Sequence, residues 1–386
     1  MRFEEAYGAW TEGRLTQEEA AQLLGVCDRS FRRYINRYHE SGLEGLIDKR
    51  LDQVSHRRAP VDEVLALETL YRERYDGWTV KHFFERYESH HHGERGYTWV
   101  KQKLQSAGLV KPGKRKGKHR KRRDRAALPG MLIHQDASTH QWIPGETWDL
   151  VITMDDATSE IYSGFFVEEE GTWSSFRGVR ETIEQQGLFC SFYSDRGSHY
   201  WHTPQAGGKV DKHNPTQFGR GLDELGIERI AAYSPQARGR SERMFRTLQD
   251  RLIKELALTT INTMDAANEW LKTQFLPQFN QQFRVQASSE GSAFVPLLTT
   301  QLDDILCVKA ERTVSHDNCV SYRGRQLQLP KVNDRCHYVK AKVRVHEYQD
   351  GAVAVFHGPR RLGLYSSSGE LSDKEKNELE LLRCSG

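Results

Sequence analysis

The chain has 386 residues, 37% hydrophobic and 28% charged, a balance that suits several globular modules and excludes an intrinsically disordered chain. No apolar stretch approaches the roughly 18–20 residues that span a bilayer, and the N-terminus lacks the basic-then-apolar layout of a secretory signal, so no membrane role is expected. The net charge of +3 identifies no partner, and six cysteines (Cys27, Cys190, Cys307, Cys319, Cys336, Cys384) without a CxxC pair indicate neither a disulfide framework nor a zinc knuckle. A reducing cytosol fits.

Residues 1–52 read as short helices. Thr16 followed by Glu19 is a capping-box pattern, and Ala20, Leu23 and Leu24 supply an apolar face. Gly25-Val26 makes a turn, and Asp28 is expected to cap a second helix carrying Arg29, Ser30, Arg32, Arg33, Tyr34 and Arg37. A small residue in the first helix, Gly in the turn and a basic second helix make the helix-turn-helix layout. Its arginine density favours DNA over an ordinary helical hairpin, with Arg29, Ser30, Arg32 and Arg33 facing the major groove and Arg37 further along.

Residues 58–110 form a second helical, helix-turn-helix-like unit. Val61, Val64, Leu65, Leu67 and Leu70 make one stripe, and Val80, Phe83 and Phe84 another. Tyr97 to Leu104 leads into Ala107-Gly108-Leu109, a helix stopped by Gly. His90-His91-His92 has no second ligand group at metal spacing and reads as a solvated loop. A basic linker is expected over 111–128. Within it, residues 111–125 hold ten Lys or Arg and a single Asp, a run that stays extended and attracts polyanions. Lys114, Arg115, Lys116, Lys118, Arg120, Lys121, Arg122 and Arg123 are its candidate phosphate contacts.

From 129 to 290 the pattern becomes mixed α/β. Met131–Asp136, Asp149–Asp156 and Ile161–Val167 read as strands of a meander, Phe176–Gln186 as a helix ended by Gly187, and Leu188–Asp195 as a further buried strand. Residues 300–365 alternate apolar and polar residues in short strands, which suggests a small β-barrel, and 366–386 form a polar, flexible tail.

Two carboxylates, Asp136 and Asp195, end predicted strands, where side chains converge on a rigid backbone. A third, Glu242, lies in the first turn of a helix marked by Met244, Phe245, Leu248, Leu252 and Ile253. Three hard oxygen ligands suit Mg²⁺ or Mn²⁺ and leave places for phosphate and water. Strand-end carboxylates alone are weak evidence, because Asp commonly opens turns. Asp155 and Asp156 also end a strand and read as turn residues or as supports of the site. Arg238, Arg240 and Arg243 surround Glu242, and acids are sparse between 229 and 241, which favours phosphate binding over local charge balance.

Four motifs in order make a resemblance specific: His134-Gln135-Asp136-Ala137-Ser138, Met154-Asp155-Asp156-Ala157-Thr158-Ser159, Tyr193-Ser194-Asp195-Arg196-Gly197-Ser198, and Tyr233 to Arg243. Together they resemble the integrase core of bacterial insertion-sequence transposases, most closely the ISNCY-like group. The resemblance covers about the whole chain. It implies a multidomain α/β protein, with N-terminal helix-turn-helix units, an RNase H-like core and a small β-barrel behind. It assigns two metal ions per site to Asp136, Asp195 and Glu242, and implies cleavage and strand transfer of DNA. It also implies element ends and target DNA as partners, a homodimer or larger synaptic assembly, and a place in the bacterial cytoplasm with the nucleoid. The 46 residues between Asp195 and Glu242 exceed the usual spacing of such cores; the polar stretch 200–217 reads as an inserted loop, with His199, His202 and His213 on or beside it. Two rivals stand beside this reading: a DNA-binding regulator with an inactive core, and a metal-dependent nuclease that cuts without joining.

Overall fold

The structure, a computed structural model, describes residues 2–48, 58–113, 124–205, 208–233, 239–298, 301–331 and 336–372. It divides into two compact units, Met1–Pro112 and Gly113–Gly386.

The first unit is helical. Its opening half comprises α1 (Phe3–Thr11), α2 (Gln17–Leu23), α3 (Asp28–Ser41) and a 3-10 turn over Gly42–Leu46. The capping box forms as expected: the Glu19 N–H donates to Thr16 Oγ1 at 3.3 Å, and the Thr16 N–H donates to the Glu19 carboxylate at 2.8 Å. Ala6, Ala20, Ala21, Phe31 and Ile35 form the small core, small side chains letting the helices approach closely. Two expectations need correction. Leu23 is 50% exposed, because the buried stripe of α2 runs through Ala20 and Ala21 instead. The capping position of α3 belongs to Cys27, and Asp28 is the first helical residue. Gly25 turns the chain between α2 and α3 at φ +70°, a left-handed conformation suited to glycine.

The second half holds α4 (Val61–Arg74), α5 (Val80–Ser89) and α6 (Tyr97–Ser106). The α5 face is as read, with Val80, Phe83 and Phe84 buried beside Tyr87, and Gly108 ends α6 in the left-handed region. The α4 stripe is rotated from its expected place. Val61 and Leu65 are 66% and 56% exposed, while Leu67 and Tyr71 are buried. Tyr71 wins a core place because its hydroxyl donates to the Trp78 carbonyl at 2.6 Å and its ring meets Phe83 edge-on. His91 is no free loop residue: its ring nitrogen lies 2.8 Å from the Tyr75 hydroxyl.

The second unit is built on a five-stranded sheet. Its strands β1 (Leu132–Ile143), β2 (Glu146–Asp155), β3 (Ile161–Val167), β4 (Ser191–Ser194) and β5 (Glu228–Ala231) stand in the order β3-β2-β1-β4-β5. The first three form the expected antiparallel meander, and β4 and β5 run parallel to β1. Two helices interrupt the strands, α7 (Thr172–Gln186) and α8 (Gln217–Glu224), and three follow: α9 (Gly239–Ala257), α10 (Met264–Trp270) and α11 (Leu276–Phe283), with a π turn over Leu271–Phe275 joining the last two. This is the RNase H-like arrangement that the resemblance implies.

Apolar groups clothe both faces of the sheet. On one side Leu150, Ile152, Met154 and Phe166 pack against Met244, Phe245, Leu248, Leu252 and Leu256 of α9. Five such side chains contribute about 1.5–3 kcal/mol each on burial, so α9 is held to the sheet mainly by apolar contact. On the other side Ile133 and Phe192 meet Phe176, Val179 and Ile183 of α7. There α7 approaches closely at Gly178, where a Cβ would overlap the Gln135 amide and lie 2.6 Å from Thr153 Oγ1.

A short helix α12 (Leu302–Ile305) leads to the last module: β6 (Val308–Thr313), β7 (Cys319–Tyr322), β8 (Arg325–Gln328), β9 (Lys342–Glu347), β10 (Val353–His357) and β11 (Arg360–Tyr365). Where a small barrel was expected, the described residues form an open four-stranded sheet, β11-β10-β9-β6, and a separate ribbon, β7-β8, around a shared core of Val320, Leu327, Val345, Val353 and Val355. Gln217 of α8 joins β6 by a reciprocal pair of 2.9 Å bonds with the Lys309 backbone.

Candidate active site

Asp136 does not end its strand. β1 continues to Ile143 because its antiparallel pairing with β2 runs on past Asp136, which lies opposite Ile152. On its other side, however, β1 loses its partner early. The parallel register with β4 sets His134 beside Tyr193, and β4 stops at Ser194. Asp136 lies two residues past His134, and Asp195 two residues past Tyr193 and one beyond the end of β4, so the register leads both toward the place where the sheet opens. The Asp195 carboxylate accepts the Gly197 N–H at 2.8 Å, which turns the chain away from the sheet.

Alternation along β1 puts His134, Asp136 and Ser138 on one face, the face along which α9 runs. Two polar ties fix that helix. Near its start Arg240 pairs with Asp156, and further on Gln249 Nε2 donates to Ser138 Oγ at 2.8 Å. Glu242, exposed in the first turn of α9, lies between these ties. Among the described residues no group of three or more His, Cys, Asp or Glu is gathered so as to hold a metal ion. Two of the three carboxylates follow the last paired residues of β1 and β4 by two positions each, and the third stands on the adjoining helix. Their donor chemistry, hard oxygens on rigid elements, fits Mg²⁺ or Mn²⁺.

The opposite face of β1 carries a polar network that the sequence reading missed. Gln135 is buried; its amide donates to Thr153 Oγ1 at 2.8 Å, and its carbonyl accepts from the Tyr200 hydroxyl at 3.0 Å. Tyr200 also bonds Glu170 at 2.9 Å, and His199 Nε2 lies 3.3 Å from the same carboxylate. Burial first, and then the nearby Glu170, pushes the Tyr200 phenol well above its ordinary value, so it stays a proton donor. In sequence, Tyr200 only opens the polar stretch 200–217, which reads as an inserted loop. The stretch 200–217 is indeed irregular where described, up to α8 at Gln217.

Asp155 and Asp156 are both completely buried, which a turn reading does not anticipate. Asp155 accepts the Gly130 N–H at 2.9 Å and the Thr158 N–H at 2.8 Å; burial still raises its pKa. Asp156 goes the other way. Burial alone would raise it, but His134, the Ala126 N–H and Arg240 together hold it well below the ordinary carboxylate range.

The expected DNA contacts fall into three groups. Arg29, Arg32, Arg33 and Arg37 are exposed along α3, with Ser30 half-buried among them. Arg243 is exposed beside Glu242. Arg240 differs from expectation: its side chain is 14% exposed and its guanidinium is paired with Asp156. The balancing acid comes from 84 residues earlier in the chain, so scarcity of acids near Arg240 in sequence was no guide. Lys114, Arg115, Lys116, Lys118, Arg120, Lys121, Arg122, Arg123 and Arg238 lie outside the described residues.

Comparison with known proteins bears on these features. Residues 10–59 match the winged helix-turn helix family. The chain is 31% identical over 351 residues to "Putative transposase y4bF" of Sinorhizobium fredii, covering 89% of this chain and 76% of that protein. The chain belongs to this transposase family. The transposase is also 28% identical over 267 residues to the transposase for insertion sequence IS1202 of Streptococcus pneumoniae, covering 66% of this chain and 57% of that protein. Among solved structures it resembles the simian T-cell lymphotropic virus intasome in complex with PP2A regulatory subunit B56 gamma, at 16% identity and TM-score 0.34, over 68% of this chain and 85% of that one. The HTLV-2 integrase catalytic core domain in complex with magnesium is similar at 16% identity and TM-score 0.31, over 39% of this chain and 89% of that one. At these identities the likeness is one of fold alone. No helix among the transposase's described residues is long and apolar enough to cross a membrane.

Proposed function

We propose that the chain is a DNA transposase that uses Asp136, Asp195 and Glu242 to cut the ends of its element and join them to target DNA. The observation that supports this reading is the parallel register of His134 with Tyr193, from which Asp136 and Asp195 each lie two residues on, beside the helix bearing Glu242. Two divalent ions bound there would supply an activated nucleophile and a neutralised leaving oxygen. The chain's own residues do the rest. Asp136 would hold hard cations from within β1, Asp195 from the residue just past the end of β4, and Glu242 would complete the set from α9. Arg243, exposed in the same turn, is suited to a phosphate of the bound strand.

The domain reading goes with it: 1–52 and 58–110 bind the terminal repeats, 111–128 tracks phosphates, 129–290 performs the chemistry, and 300–365 supports it. Arg29, Ser30, Arg32, Arg33 and Arg37 would read the groove, and the linker residues Lys114 to Arg123 would add sequence-independent grip. The protein would act in the bacterial cytoplasm, on nucleoid DNA, as a dimer or larger assembly, because two ends must meet.

The test is cleavage of labelled element-end DNA with Mg²⁺ or Mn²⁺. Asp136→Asn and Asp195→Asn are each expected to cost at least about a thousandfold in rate while leaving end binding intact. A wild-type chain that binds ends but never cuts would favour the regulator, and variants that cut normally would remove the assignment. Cutting without joining of pre-cut ends would favour the nuclease.

A further inference from the structure

We propose that Asp156 is a positioning residue for this site: its buried carboxylate ties the start of α9, which carries Glu242, to β1, which carries Asp136. This rests on the three-carboxylate reading above and adds a residue that takes no part in holding metal or substrate.

The carboxylate joins three segments. Oδ1 accepts from His134 Nε2 at 2.7 Å and pairs with Arg240, and Oδ2 accepts the Ala126 N–H at 2.7 Å. His134 lies two residues before Asp136 on the same face of β1, and Arg240 lies two residues before Glu242 in the first turn of α9. One acid thus links the two elements that bear candidate ligands, each at the same short distance along the chain. Arg125 secures the turn from outside, donating to the Asp156 carbonyl at 2.9 Å and to Ser159 Oγ at 2.8 Å.

Stability alone does not explain such a device. A largely buried ion pair such as Arg240–Asp156 gains little over well-packed apolar groups, because both ions must be desolvated. α9 already has Met244, Phe245, Leu248 and Leu252 to hold it on the sheet. Apolar contact, however, tolerates small slips and rotations of a helix, whereas a directional bond does not. Arg240–Asp156 near the start and Gln249–Ser138 further on together fix both the rise and the rotation of α9 along β1. A metal site needs that precision, and groups that orient ligands typically matter by about 10–100-fold in metal affinity or activity.

The experiment uses the full chain, with Asp156→Asn, Arg240→Gln, the double variant, Arg240→Lys, and Glu242→Gln as reference. Mn²⁺ binding is measured by calorimetry on the protein without DNA, alongside cleavage of labelled element ends, end binding and thermal unfolding. Asp156→Asn and Arg240→Gln are each expected to weaken Mn²⁺ binding and slow cleavage by about 10–100-fold, with end binding unchanged within about twofold. The double variant should be no worse than the poorer single one, since both remove the same tie, and Arg240→Lys should recover part of the loss. Should Asp156→Asn fail to fold, Arg240→Gln and Arg240→Lys carry the same comparison. Wild-type metal affinity and cleavage in these variants, with Glu242→Gln inactive, would overturn the positioning role alone; so would strictly additive losses. An active Glu242→Gln variant would overturn the three-carboxylate reading, and the positioning role with it.

Discussion

The arginines of α3 and the arginine that opens the core's last long helix look alike in sequence and differ in use. Arg29, Arg32, Arg33 and Arg37 lie exposed on a helix whose inner face is only Phe31 and Ile35. Arg240 sits in a comparable basic stretch, yet it is drawn onto a buried acid. An exposed arginine on a thin helical unit is available to a polyanion. One beside a wide sheet is more valuable as a directional bond, because an acid buried there needs a partner. Charge density in sequence thus shows where cations cluster; the fold decides which of them remain available.

The contrast can be tested where it has the largest consequence. Changing Arg29, Arg32, Arg33 and Arg37 together to Ala should weaken binding to element ends by about a thousandfold, at about 1 kcal/mol for each lost contact, and flatten the dependence on salt. The core should unfold at its original temperature. Filter binding across a salt series, with calorimetry of unfolding, checks both. Unchanged affinity would mean that α3 is an ordinary helix, and the comparison would break at its first member.

Within the core, packing rather than charge sets the next effect. Gly178→Ala would push a methyl against the Gln135 amide and Thr153 Oγ1, beneath the strand that carries Asp136. A loss of about 1–3 kcal/mol in stability is expected, read from denaturant unfolding, because α7 must lift or Gln135 must leave its bonds. A neutral result would show that the sheet and α7 are looser than their contact suggests.

The C-terminal module offers a pH-dependent effect of similar size. His346 is buried, stacked on Phe356, and burial pushes its pKa from 6.5 down to about 4. Its folded form resists protonation, so the stability it supports is full above pH 6.5, falls as pH drops, and levels off near pH 4. A loss of about 2 kcal/mol across that window is expected, and His346→Gln should flatten the curve. An equally steep curve in the variant would assign the pH dependence to other groups.

Much of the core's fold was legible because its signals are local. The meander β1–β3, the helix stop at Gly187 and the carboxylate after β4 all follow from short apolar runs and turn residues. The capping box of α2 did too. What escaped depends on contacts distant in sequence. β1 reads as ending at Asp136 because polar residues follow, but pairing with β2 carries it to Ile143. The buried face of α4 is rotated because an aromatic hydroxyl finds a backbone carbonyl from the next segment. Asp156 looks like a turn residue and is a buried junction, since two of its partners, His134 and Arg240, come from other strands and helices. Of the candidate site, the strands that carry Asp136 and lead to Asp195 could be read from apolar runs, whereas the contacts among Gln135, Glu170 and Tyr200 become visible only once the strand has two faces.

The most direct test of the central claim is strand transfer from pre-cut element ends into plasmid DNA with Mg²⁺, comparing wild type with Glu242→Gln. The expected result is joined product from the wild type and none from the variant, with both binding the ends equally. Joined product from Glu242→Gln at the wild-type rate, or a wild-type chain that binds ends and never joins them, would contradict it.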